Sequence, residues 1–109
     1  MLILNGVVHP MDGPVIPRGF VAFEGEKLTA VGPMEALPAG AEGPVLDAEG
    51  GHILPGFIDA HTHFDLDVAN TTTVDDFCTG SRAALRGGTT TVIDFACPNK
   101  GESLHLSLI

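Results

Sequence analysis

Two histidines separated by a single residue, His61 and His63, stand directly after the apolar run Gly56-Phe57-Ile58-Asp59-Ala60. On an extended strand, residues i and i+2 share a face, and their Cα atoms lie about 7 Å apart. Two imidazoles on one face can converge on one cation at metal–nitrogen distances of about 2.0–2.1 Å. The chemistry on offer is therefore metal binding. A His-x-His pair also arises by chance, and then reads as two half-exposed strand histidines. Position separates the two readings: at the C-terminal end of a parallel strand, the pair occupies the end where β/α proteins build active sites.

Other chemistry-bearing residues are less sharply marked. Asp59 precedes the pair by two positions, where a carboxylate either orients an imidazole from behind or satisfies backbone donors. Asp94 closes a later β-branched run and either borders the site or makes structural hydrogen bonds, since buried carboxylates need partners. His9, His52 and His105 have no partner at ligand spacing and read as ordinary surface or strand residues. Cys78 and Cys97 are the only cysteines and form no CxxC motif. Their spacing suggests neither a zinc site nor a disulfide framework, so they read as two free thiols in a reducing compartment, with nothing marking Cys97 as a nucleophile.

The elements that must position these residues fall into two kinds. Residues 1 to about 52 read as short strands and turns forming a small antiparallel β unit. Leu2–Leu4 and Val7-Val8 flank Asn5-Gly6, a pair suited to a tight turn or bulge. Gly19–Phe23 and Lys27–Val31 surround Glu24-Gly25-Glu26 as a hairpin with Gly25 at the bend. A Pro/Gly/Ala-rich loop over 32–43 and a short strand over 45–48 follow. Residues 53–97 then read as strand, helix, strand, a unit expected to be parallel and right-handed. Gly56–Ala60 has the largely apolar character of a strand buried on both faces. The helix is expected over about Val74 to Arg86, with Thr71–Thr73 as N-caps and Asp75 and Asp76 favoured by the helix dipole. Its apolar face would carry Phe77, Ser81, Ala84 and Leu85, and Gly87-Gly88 would end it. Thr89–Phe95 is a β-branched strand, and a second helix is expected to begin within Glu102–Ile109.

With 109 residues and 44% apolar content, the chain can bury a modest core, built from Val, Ile, Leu and Ala because it has six Phe and no Trp or Tyr. A net charge of −9 argues against nucleic acid and anionic membrane surfaces as partners. No apolar stretch approaches the 18 or more residues of a membrane span, and the N-terminus lacks the basic start of a signal peptide. The expected location is cytoplasmic.

Pro55–His63 resembles the N-terminal metal motif of the amidohydrolase superfamily, and the hairpin before it, with Glu24-Gly25 at the bend and Val31-Gly32 at the exit, is similar to that superfamily's β-sandwich domain. Asp75-Asp76-Phe77, Thr79-Gly80, Ala83-Ala84, Gly87–Thr90, Ile93–Phe95 and Gly101–Leu104 resemble the dihydropyrimidinase/hydantoinase branch. Phe64-Asp65-Leu66 stands where allantoinases and dihydroorotases usually have a Leu followed by an Arg.

The resemblance implies an α/β fold. Residues 1–52 would be the N-terminal part of a β-sandwich domain, and 53–109 the first β-α-β portion of a TIM-like (β/α)8 barrel, truncated, since such a barrel needs about 250 residues. It implies hydrolysis of dihydropyrimidine or hydantoin rings by metal-activated water, with His61 and His63 as ligands of a binuclear Zn2+ centre. Phe64 and Leu66 would lie in the substrate-contacting loop. The carboxylated lysine, two further histidines and the aspartate general base would lie beyond Ile109, so no catalytic residue is expected within this chain, and neither Lys27 nor Lys100 should be the bridging carbamate. The complete relative would take a small cyclic amide and form a homo-oligomer, often a tetramer. Two rival readings remain: a non-catalytic assembly or binding protein on the same fold, against which the retained histidines count, and a truncated reading frame with no independent activity.

Overall fold

A computed structural model describes residues 1–105 of the protein. The chain divides into two compact units, Met1–Pro55 and a second that begins at Gly56.

The first unit is a five-stranded sheet of β1 (Leu2–Val8), β2 (Ile16–Glu24), β3 (Lys27–Pro33), β4 (Val45–Asp47) and β5 (His52–Ile53). The expected hairpin forms: β2 and β3 pair antiparallel, and Gly25 turns the chain at φ +59°, a left-handed backbone that glycine adopts without steric cost. Asn5-Gly6 is a bulge rather than a turn. β1 continues through it as one strand whose pairing with β2 shifts register on both sides of Gly6, with Asn5 at φ 57°. The unit is not wholly antiparallel, because β4 and β5 both pair parallel with β1. Apolar alternation specifies which face a strand buries but not its direction, and the connection after β3, which includes a 3-10 turn at Met34–Ala36, is long enough to bring the chain back alongside β1. The core lies on one face, where Leu2, Phe20 and Ala22 are buried against Leu4, Ala30, Met34, Leu37 and Ala41.

The second unit contains β6 (Phe57–Thr62), β7 (Asp67–Val68), β8 (Thr71–Thr72), α1 (Phe77–Arg86) and β9 (Thr89–Asp94). β6 and β9 pair parallel, with α1 between them in sequence, as the strand–helix–strand pattern requires. The helix starts later than expected. Thr71-Thr72 are drawn into a hairpin with Asp67-Val68 whose two-residue loop, Ala69-Asn70, has φ of 52° and 62°, the positive values of a type I′ turn. The N-cap is instead Asp76, whose carboxylate accepts from the Thr79 backbone N–H at 2.7 Å while the Thr79 hydroxyl accepts from the Asp76 backbone N–H at 3.1 Å. Gly88, at φ +88°, follows the helix end as expected.

Burial departs most from expectation. Phe57 and Ile58 are 58% and 66% exposed, and of the anticipated helix face only Ser81 and Ala84 are half-buried, Phe77 and Leu85 remaining exposed. Among the described residues β6 has a single strand neighbour, so its apolar faces lack the cover that such a sequence normally receives. The second helix expected over Glu102–Ile109 is not formed at Glu102 and Ser103, Leu104 and His105 are in a 3-10 turn, and the remainder from 106 on lies outside the described residues.

Candidate metal centre

His61 is the penultimate residue of β6 and His63 follows its last residue, so both stand at the C-terminal end of a parallel strand. Their rings meet edge to face with centroids 5.0 Å apart, and the two Nε2 atoms approach to 3.0 Å. Two nitrogens facing each other at this distance need either one N–H and one lone pair, or a shared cation for both lone pairs. Tetrahedral zinc with ligands at about 2.0–2.1 Å holds two nitrogens roughly 3.3 Å apart, so this donor pair fits a zinc-like ion with only a small adjustment. Among the described residues no third His, Cys, Asp or Glu joins them. Lys27 opens β3 and Lys100 lies beyond β9.

The surroundings come from β9. Asp94, its last residue, uses Oδ1 to accept from the Thr62 hydroxyl at 2.9 Å and from the Phe64 backbone N–H at 3.0 Å. One carboxylate oxygen therefore pins the chain on both sides of His63. The Phe95 backbone N–H donates to the Thr62 carbonyl at 3.1 Å, and the Phe95 ring lies 4.5 Å from His61 and 5.9 Å from His63. Cys97 Sγ stands 3.8 Å from His63 Nδ1, the ring nitrogen turned away from His61. Asp59 acts differently: its Oδ1 accepts from the His61 backbone N–H at 3.1 Å and so braces the backbone rather than an imidazole.

The loop after the pair folds on itself. The Leu66 backbone N–H donates to the Thr73 hydroxyl, and the Thr73 N–H donates to the Leu66 carbonyl, both at 2.9 Å. Phe64 turns to α1, its ring edge-on to Phe77 at 5.7 Å and seated where a Cβ on residue 80 would stand. An open concavity of about 400 Å³ against β7 and β8 is lined by neither Phe64 nor Leu66. Phe95, Cys97 and Thr62 were not among the candidate site residues. The available signal was indirect: residues that follow a strand parallel to β6 must emerge beside the histidines. Both cysteines are free and exposed.

The amidohydrolase family model matches residues 52–102, the segment containing this pair. The chain is 54% identical over 107 residues to the D-hydantoinase of Geobacillus stearothermophilus, covering 98% of this chain and 22% of that protein. It is 55% identical over 60 residues to the dihydropyrimidinase of Rattus norvegicus, covering 55% of this chain and 12% of that one. The crystal structure of D-hydantoinase from Bacillus sp. AR9 superposes with a TM-score of 0.84 at 40% identity, over 98% of this chain and 22% of the other. The chain belongs to the hydantoinase/dihydropyrimidinase branch of the amidohydrolase family. It spans about a fifth of the length of these hydantoinase relatives. Amidohydrolases are generally metal-dependent, and dihydropyrimidinase from Brevibacillus agri superposes comparably, at a TM-score of 0.82 and 42% identity.

Proposed function

We propose that this chain supplies the first part of a metal-dependent hydrolase of cyclic amides, dihydropyrimidines or 5-substituted hydantoins, with His61 and His63 as zinc ligands of a binuclear site. The observation that carries this reading is the 3.0 Å approach of the two Nε2 atoms at the C-terminal end of a parallel strand. Residues 1–52 would belong to a β-sandwich domain and 53–109 to the start of a (β/α)8 barrel. The exposed apolar faces of Phe57, Ile58 and Ile93 support a sheet that continues beyond β6 and β9. When bound, the metal supplies an activated water and polarises the ring carbonyl. The chain's own residues hold the two imidazoles. Asp94 fixes the backbone around His63, Asp59 fixes that of His61, and Phe95 walls one side.

The remaining ligands and the general base would come from outside these 109 residues. Phe64 and Leu66 stay as candidates for the substrate loop, Phe64 through its packing on α1. No helix among the described residues is long and apolar enough to cross a membrane, and a cytoplasmic homo-oligomer is the setting we propose for the complete protein.

The test has two arms. The chain alone should bind zinc at micromolar or weaker affinity and turn over neither dihydrouracil nor hydantoin, because catalytic zinc sites normally have three protein ligands plus water. Grafted in place of the matching segment of the Geobacillus stearothermophilus D-hydantoinase, it should support zinc binding and turnover, both lost on His61→Ala or His63→Ala. A folded chimera that keeps full metal content and activity in either variant would overturn the assignment.

A further inference from the structure

A second histidine pair lies in the first unit. His9 Nε2 and His52 Nδ1 approach to 2.8 Å although 43 positions separate them, with ring centroids 5.1 Å apart and planes inclined by 30°. The β1–β5 pairing produces this approach. Val7 is the register partner of His52, and the His9 backbone N–H continues the ladder by donating to the Ile53 carbonyl at 2.9 Å. Paired strand residues share a face, and so do residues i and i+2. His9 and His52 are therefore diagonal neighbours on one face of the sheet. His52 is exposed and His9 half-buried, so the pair is open to solvent ions.

We infer that His9 and His52 form a surface site for a divalent transition metal of the Cu2+ or Ni2+ type, separate from the His61–His63 pair. Two cis ligands at about 2.0–2.1 Å on a square-planar or octahedral ion stand about 2.9 Å apart, close to the 2.8 Å observed. In the metal-free pair one ring carries the proton between the two nitrogens. On binding, that proton moves to the other nitrogen of the same ring, both facing lone pairs go to the metal, and no net proton is lost from two neutral imidazoles. Among the described residues no acidic or thiol group joins the pair, so water completes the coordination shell. Imidazole suits Cu2+ and Ni2+, and the divalent series places Cu2+ highest. The bound ion would tie β5 to β1 and, binding the folded state alone, would stabilise it.

The experiment uses the whole chain carrying His61→Ala and His63→Ala, so that the other pair cannot contribute. It is titrated with Cu2+ and Ni2+ by calorimetry, and the Cu2+ complex is examined by pulsed electron paramagnetic resonance. The expected result is one equivalent bound, nitrogen couplings from two imidazoles and a raised thermal midpoint. His9→Ala and His52→Ala should each weaken binding about 100-fold, the advantage of a second ligand held in place. His9→Gln, which keeps a hydrogen-bonding partner for His52, should lose the metal while retaining the far-ultraviolet circular dichroism of the folded chain. Couplings from one imidazole only, as a lone His105 would give, or affinities unchanged in the single variants, would overturn the site, as would no binding below millimolar metal.

Discussion

Asp94 braces the chain around the candidate ligands without being one of them. Its Oδ1 receives the Thr62 hydroxyl and the Phe64 N–H, so it sets the path of the backbone that carries His63. Groups that orient metal ligands typically contribute about 10–100-fold to metal affinity. In the chimera described above, Asp94→Ala should weaken zinc binding by about that factor, whereas Asp94→Asn, which keeps an acceptor oxygen, should recover most of the loss. A zinc titration of both variants checks this, and equal affinities in Asp94→Ala and the parent would show that the backbone holds its path unaided. Asp59, expected from sequence to face either an imidazole or a backbone donor, takes the backbone donor. That choice depends on a side-chain rotamer, which spacing does not encode.

At the scale of elements, α1 is held by its cap and by one close approach. Gly80 is buried because the Phe64 ring occupies the space a Cβ would need. Alanine is the better helix former by about 1 kcal/mol, yet Gly80→Ala should destabilise the chain by about 1–3 kcal/mol through overpacking. Phe64→Leu in the same chain should restore part of that loss, as read from denaturant midpoints. Simple stabilisation by Gly80→Ala would mean that Phe64 moves aside freely.

The cap carries its own pH dependence. The Thr79 backbone N–H donates to Asp76 and holds its carboxyl below the usual carboxylate range. A depressed folded-state pKa gives stability that is fully present above the unfolded-state value and is lost as pH falls through the folded one. Helicity should therefore decline on acidification through that range in the parent and be flat across it in Asp76→Asn, which still caps. Circular dichroism against pH distinguishes the two.

Among the described residues, burial is uneven. The buried apolar residues Leu2, Val8, Phe20, Val21 and Ala22 lie in the first unit, while the second exposes Phe57, Ile58, Val74, Phe77, Leu85 and Ile93. Local stability follows buried apolar contacts. The slowest amide exchange should lie in β1 and β2, with β6 and β9 exchanging faster despite their ladder. The reverse order would show that the second unit gains cover in solution. Phe20, 2% exposed at the centre of the core, should cost about 3–5 kcal/mol when replaced by alanine, measured by urea unfolding.

Local chemistry made much of this legible in the sequence. The bend at Gly25, the helix end at Gly87-Gly88, the β-branched strand after it and the His-x-His pair at a strand end each depend on a few adjacent residues and on backbone sterics. Where a local signal was overridden, the sequence misled: Thr71–Thr73 read as the caps with Asp76 inside the first turn, and the Ala69-Asn70 turn drew the threonines into a hairpin and left Asp76 as the cap. The parallel course of β4 and β5, the arrival of Phe95 and Cys97 beside His63, and the meeting of His9 with His52 could come only from tertiary structure. Each is a contact across a long stretch of chain, and residue spacing carries no information about which distant segments will pair or in which direction.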